Sequence, residues 1–128
     1  MRALIVAVAA GLSLAAPASA QDPPDGKCPK AIQPLPADGV AKAASAALRA
    51  APSLYEDPPG KPVLAGAMRA DRDEERGPSV KTRCGARRTG RNVIVYVEFP
   101  QARGASESSG VLAVARVSGR YRVWFVIH

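Results

Sequence analysis

Two stretches decide how this chain folds: N-V-I-V-Y-V-E-F at residues 92–99 and Y-R-V-W-F-V-I at residues 121–127. Each is almost uninterruptedly apolar, rich in β-branched and aromatic side chains, and too short for an ordinary helix, so both read as strands. Two neighbouring segments share that character: S-V-K-T-R-C-G-A-R at 79–87 and G-V-L-A-V-A-R-V at 110–117. Ser118-Gly119 then falls between two strands as a two-residue hairpin turn, where glycine takes positive φ without cost. Thr89-Gly90 is expected to join 79–87 to 92–99 in the same way, and the polar run P-Q-A-R-G-A-S-E-S-S at 100–109 links the two hairpins.

Working upstream, V-L-A-G-A-M-R-A at 63–70 is ambiguous, because Ala and Met favour helix while Gly66 and the short length weaken it. The reading leans to a strand paired with 79–87, leaving D-R-D-E-E-R-G-P at 71–78 as a charged loop. Residues 53–62, with three prolines and a glycine, form another loop. Before it, Val40, Ala44, Ala47, Leu48 and Ala51 recur at helical spacing behind Asp38 as N-cap, and Pro52 ends the run. Five prolines within residues 21–37 make that stretch an extended arm. The fold class expected is therefore α+β: an N-terminal helix packed on a four- to five-stranded antiparallel, curved sheet. The domain division is 1–20 leader, 21–37 arm and 38–128 single domain.

The leader is a secretory signal in form. Arg2 supplies the positive start, residues 3–16 are apolar, and Ala18-Ser19-Ala20 is a small-residue cleavage site, so the mature chain is expected to start at Gln21. As a membrane anchor the run is short of the roughly 20 apolar residues that span a bilayer, and Pro and Asp follow at once. The expected location is secreted or periplasmic. In that compartment Cys28 and Cys84, the only two cysteines, most simply form one disulfide. Closing a loop of 56 residues removes roughly 4 kcal/mol of unfolded-chain entropy in the loop-closure account. A core with only two Phe and one Trp gains from such a staple between the arm and the first strand.

The formal net charge is +7, and setting aside Arg2 leaves +6. That balance favours an anionic partner: an envelope polymer, a lipid head group or an acidic protein. Export argues against nucleic acid. An Arg-, Ala- and Gly-rich composition also follows from a GC-rich genome, so the charge alone identifies no partner.

Period-two alternation assigns the faces of the sheet. In 92–99, Val93, Val95, Val97 and Phe99 share one side, while Ile94, Tyr96 and Glu98 share the other. In the last strand Tyr121, Val123, Phe125 and Ile127 oppose Arg120, Arg122, Trp124, Val126 and His128. In 79–87, Val80, Thr82, Cys84 and Ala86 oppose Lys81, Arg83 and Arg87. One face is apolar and meets the helix; the other is mixed, and Tyr96 and Trp124 among basic residues would suit either a shallow binding groove or an amphipathic outer face. Because alternate turns of a meander emerge at one end, Arg87, Arg88, Arg91, Arg116, Arg120 and Arg122 are expected to gather along a basic rim, with the acidic 71–75 loop and Glu107 at the opposite end. Such a rim would recognise phosphate, sulfate or carboxylate. The last strand is apolar on both faces although a meander leaves it at an edge, which points either to a curled, covering sheet or to a homodimer formed through that strand.

No catalytic constellation emerges. His128 is the only histidine and the terminal residue, which argues against a Ser-His-Asp arrangement. One His and two paired Cys leave only carboxylates for a metal. Asp71, Asp73 and Glu75 imitate the opening of a calcium loop, but the twelfth position is Thr82 and Gly77 comes one place late. No cofactor, no metal and no catalytic residue is expected.

Phe99-Pro100, the Ser-rich loop, Gly110-Val111, Arg116 and Tyr121-x-Val123-Trp124 ending on His128 resemble small exported bacterial proteins of uncharacterised function. That resemblance covers about fifty residues and implies export. The order of helix and curved sheet is similar at fold level to cystatin-like and NTF2-like architectures, which host binders, enzymes and scaffolds alike. The leading expectation is a non-enzymatic binder of an anionic partner; the alternatives are a small enzyme or small-ligand binder with a pocket between helix and sheet, or a structural subunit dimerising through the last strand.

Overall fold

The structure, a computed structural model, describes residues 23–55, 60–102 and 108–128. The leader, Glu107 and parts of the 53–62 and 100–109 loops lie outside the described residues.

Alanines set the first layer. Helix α1, Gly39–Ala50, presents Ala43, Ala44 and Ala47 to the core, and a 3₁₀ turn over Ala51–Ser53 carries Pro52 where the helix stops. Small side chains let α1 lie close enough to touch all four strands. Asp38 occupies the N-cap position but makes no cap with its side chain; its carboxylate pairs with Lys42 at 3.3 Å instead.

The strands are β1 (Val63–Arg69), β2 (Asn92–Glu98), β3 (Ser109–Val117) and β4 (Arg120–Ile127). They form one open, fully antiparallel sheet in the order β1-β2-β3-β4. The α+β architecture and the meander expected from the sequence are therefore present, with four strands. Ser118 and Gly119 both have positive φ, 53° and 78°, as a tight β3–β4 turn requires.

Residues 79–87 are not a strand. They lie in two helices, α2 (Gly77–Cys84) and α3 (Ala86–Thr89), broken at Gly85, whose φ is 87°. Pro78 sits in the first turn of α2, where its missing N–H costs nothing. Val80 and Cys84, four residues apart, turn the same way and are buried, which satisfies helical spacing as well as it satisfied alternation. Consequently β1 pairs with β2 rather than with 79–87, Thr89-Gly90 is the exit of a helix rather than a hairpin turn, and the acidic 71–76 segment is displaced. Because β1 runs antiparallel to β2, with Arg69 opposite Val93, the chain leaves β1 at the same end of the sheet as Arg91, not at the opposite one.

Cys28 and Cys84 form the expected disulfide, with S–S 2.04 Å, but it ties the arm to the end of α2 rather than to a strand. Arm and α2 together make the third layer. Ile32, Val80 and Cys84 pack on Ile94, Ala113, Ala115, Trp124 and Ile127, while α1 packs on Val93, Val95, Val97, Phe99, Leu112, Val114 and Val123. Alternation holds along β2 and β3 and fails in β4. Ala113 pairs with Phe125 and Val114 with Val123, so Trp124 is an extra residue, a bulge. Beyond it the faces exchange: Val126 joins the α1 side, and Phe125 and Ile127 join Trp124 on the other.

Both faces of β4 are therefore covered within the chain. The Gly26 N–H also donates to the Trp124 carbonyl at 2.8 Å, so the arm occupies part of the β4 edge.

Candidate anion-binding end of the sheet

The strand registers bring the arginines of the last third of the chain to one end. Asn92 pairs with Ala115 and Ala115 with Arg122, so Arg91, Arg116, Arg120 and Arg122 share the end at which β2 starts, β3 finishes and β4 starts. α3 feeds directly into β2, which brings Arg87 and Arg88 to the same region. Arg69, missed in the sequence, ends there too, and its guanidinium grips Asp71 through Nε–Oδ1 at 3.1 Å and Nη2–Oδ2 at 2.6 Å. The signal that could have found it was the antiparallel β1–β2 pairing.

These side chains divide by task. The arm leaves the α2 layer at Ile32, crosses the end of the sheet and enters α1 on the opposite face, and three arginines hold it along that path. Arg88 donates from Nη1 to the Pro29 and Lys30 carbonyls at 2.9 and 3.1 Å, and from Nε to the Cys84 carbonyl at 3.2 Å. Arg91 donates to the Ile32 carbonyl at 3.0 Å, and Arg116 to that of Pro34 at 3.4 Å. Two more bonds complete the crossing, from the Gln33 N–H to the Arg116 carbonyl at 2.8 Å and from the Gly119 N–H to the Gln33 side-chain Oε1 at 2.5 Å. The side chains of Arg87 and Arg120 are exposed and bond to nothing among the described residues. Arg122 is half-buried, with its Nε enclosed and without a hydrogen-bond partner among the described residues. None of the six expected arginines pairs with a carboxylate among the described residues; Asp71 is committed to Arg69.

The aromatic pair expected on a ligand face serves the interior. Trp124 is fully buried and its indole N–H donates to Asn92 Oδ1 at 2.8 Å, while Asn92, also fully buried, donates onward to the Arg88 carbonyl at 3.1 Å. Phe125 stacks on Trp124 with centroids 5.5 Å apart, and Arg83 lies 4.0 Å above the Phe125 ring. The arm and α2 therefore fill the shallow groove that the mixed face suggested. Tyr96 is half-buried and donates to Asp73 Oδ2 at 2.5 Å; burial, then that bond, push its phenol up to about 12. Asp73, expected within the charged 71–78 loop, is a buried carboxylate that accepts from the Glu75 and Arg76 N–H groups through Oδ1 at 3.0 and 2.9 Å. It orders the turn into α2.

Two open clefts flank this end of the molecule. One, about 310 Å³, lies beside Asp71, Asp73, Lys81 and Thr89. The other, about 420 Å³, lies between the arm, the first turn of α1, the end of β1 and the start of β2.

No family model, curated protein or solved structure matches this chain.

Proposed function

We propose that the protein is an exported, non-enzymatic domain that binds an anionic polymer or acidic partner through the arginine-rich end of its sheet. The observation that supports this is guanidinium capacity with no carboxylate partner among the described residues: the Arg87 and Arg120 side chains bond to nothing there, and Arg88, Arg91 and Arg116 keep donors beyond those that hold the arm. Like charges held along one edge raise the local positive potential, and an incoming anion relieves it. The bonds from Arg88, Arg91 and Arg116 to the arm fix three guanidiniums in place, and each guanidinium retains further N–H donors. A partner then meets a rigid donor array, which reduces the side-chain entropy lost on binding. The Cys28–Cys84 disulfide fits an oxidising compartment, and among the described residues no helix is long and apolar enough to cross a membrane.

The test is retention on heparin-agarose across a salt gradient. Arg87→Ala with Arg120→Ala removes the two exposed guanidiniums that hold no part of the fold, so the double variant should elute at clearly lower salt with its thermal midpoint preserved. Elution at unchanged salt contradicts the proposal.

A further inference from the structure

The larger cleft combines two kinds of lining beside the arm clamp. Leu35, Pro36 and Val40 supply apolar lining, and Arg69, Gly90 and Arg91 supply the rest of the wall used here. A volume of about 420 Å³ is within the range of small-molecule sites, which are characteristically apolar with a few fixed polar groups.

Arg91 is the group with capacity to spare. Its Nη1 is held by the Ile32 carbonyl at 3.0 Å, while Nε and Nη2, the side-on edge of the guanidinium, have no partner among the described residues. At the end of β1, which pairs with β2, Arg69 uses the corresponding edge to grip the Asp71 carboxylate with two bonds. That pair is internally neutral, so the cleft as a whole carries the single positive charge of Arg91. Gly90 leaves room for the Arg69–Asp71 pair: a Cβ there would lie 3.1 Å from Asp71 Oδ2 and 3.3 Å from Arg69 Nη2.

We propose that this cleft binds a small amphiphilic carboxylate, its carboxylate on the free Nε/Nη2 edge of Arg91 and its hydrocarbon against Leu35, Pro36 and Val40. The inference rests on reading this end of the molecule as anion-binding, and it narrows that reading to a monoanion with an apolar body at one site. One carboxylate matches the one unpaired charge and offers two oxygens to a two-donor edge. An apolar chain of a few carbons covers the exposed wall, whereas a plain inorganic anion would leave it wet. The Ile32 bond holds the guanidinium in position beforehand, so little rotamer freedom is lost on binding.

Titration of the ¹⁵N-labelled chain with sodium octanoate tests the site. Saturable shifts should concentrate at the amides of Leu35, Val40, Gly90 and Arg91. Octylamine, of the same length and opposite charge, should leave them in place, and octanol should bind on the order of tenfold more weakly for want of the charge-assisted pair. Arg91→Met should weaken octanoate by a similar factor. Because that change also releases the Ile32 carbonyl, Val40→Phe provides a second variant that fills the cleft without touching a guanidinium, and it should abolish the saturable shifts. Octylamine shifting the same amides, shifts that grow linearly without saturating, or an unchanged affinity in Val40→Phe each overturn the proposal. Strong heparin retention without octanoate saturation defeats the cleft alone; octanoate saturation without heparin retention defeats the broader rim alone.

Discussion

Replacing Asn92 by alanine tests the buried polar link between α3, the start of β2 and the bulged strand. Asn92 is fully buried and is the acceptor for the Trp124 indole N–H at 2.8 Å. Removing it leaves that N–H enclosed and unpaired, which costs about 1–3 kcal/mol. The Arg88 carbonyl adds little, because it also accepts the Arg91 N–H at 3.1 Å. The small cavity left by the missing amide contributes about 1 kcal/mol more. The expected loss is therefore about 2–4 kcal/mol, a large share of the roughly 5–15 kcal/mol typical of a domain. Urea unfolding followed by far-ultraviolet circular dichroism measures it, and Trp124, the only tryptophan, reports the same site by fluorescence. Trp124→Phe removes the donor, so adding Asn92→Ala to that background no longer strands an indole N–H. The double variant should be more stable than the sum of the single losses implies, by about 1–2 kcal/mol. Additive losses, or an Asn92→Ala cost below about 0.5 kcal/mol, refute the assignment of this bond as a structural link.

Three other perturbations follow from single contacts. A Cβ at Gly77 would overlap the Ala70 carbonyl oxygen, which belongs to backbone and cannot swing aside, so Gly77→Ala should cost at least about 2 kcal/mol in urea unfolding, and a neutral result contradicts the close approach. Cys28→Ser with Cys84→Ser should lower stability by roughly 4 kcal/mol and make residues 23–37 the first site of limited proteolysis, because the disulfide anchors the arm at one end of the arginine clamp. The Tyr96 phenol, raised to about 12, binds its proton more tightly when folded than when unfolded; its contribution to stability is complete below about pH 10 and is lost as pH rises from there through about 12. Absorbance at 295 nm should show a late phenolate step that Tyr96→Phe removes, and a step that persists in that variant assigns it elsewhere.

The strands at 92–99 and 121–127 were legible because β-branched runs too short for a helix have few other uses, and the helix at 39–50 because Pro52 and the alanine spacing mark it. Residues 79–87 read as a strand, and not as the helices they form, for a definite reason. Positions 80 and 84 lie on one side in both periodicities, so alternation could not separate strand from helix, and the better evidence lay at the ends: Pro78 in a first turn and Gly85 at a helix exit. Once that segment becomes helical, the pairing of β1 and the placement of the acidic loop change with it. The faces of β4 were illegible beyond Trp124, since a single inserted residue reverses every later side chain and leaves no composition signal. At the candidate site, grouping the arginines required only the antiparallel order. Their division into arm-binding and free members required the carbonyl positions of an arm that has no periodic pattern.

The basic end of the sheet is also where the arm is held. The arm changes layers there, passing from the α2 side of the sheet at Ile32 to the α1 side at Gly39, and a chain crossing strand ends exposes carbonyls that no strand can satisfy. Arg88, Arg91 and Arg116 meet those carbonyls, so part of the positive charge at this end is required by the fold itself. Charge needed for the crossing cannot be counted as evidence for a partner. Arg87 and Arg120 satisfy no carbonyl and pair with no carboxylate among the described residues, and Arg91 retains an unused edge beside an apolar wall. What is left for a partner is the guanidinium capacity remaining after the arm is held, and substitutions at Arg87 and Arg120 probe that remainder without unfastening the layer beneath it.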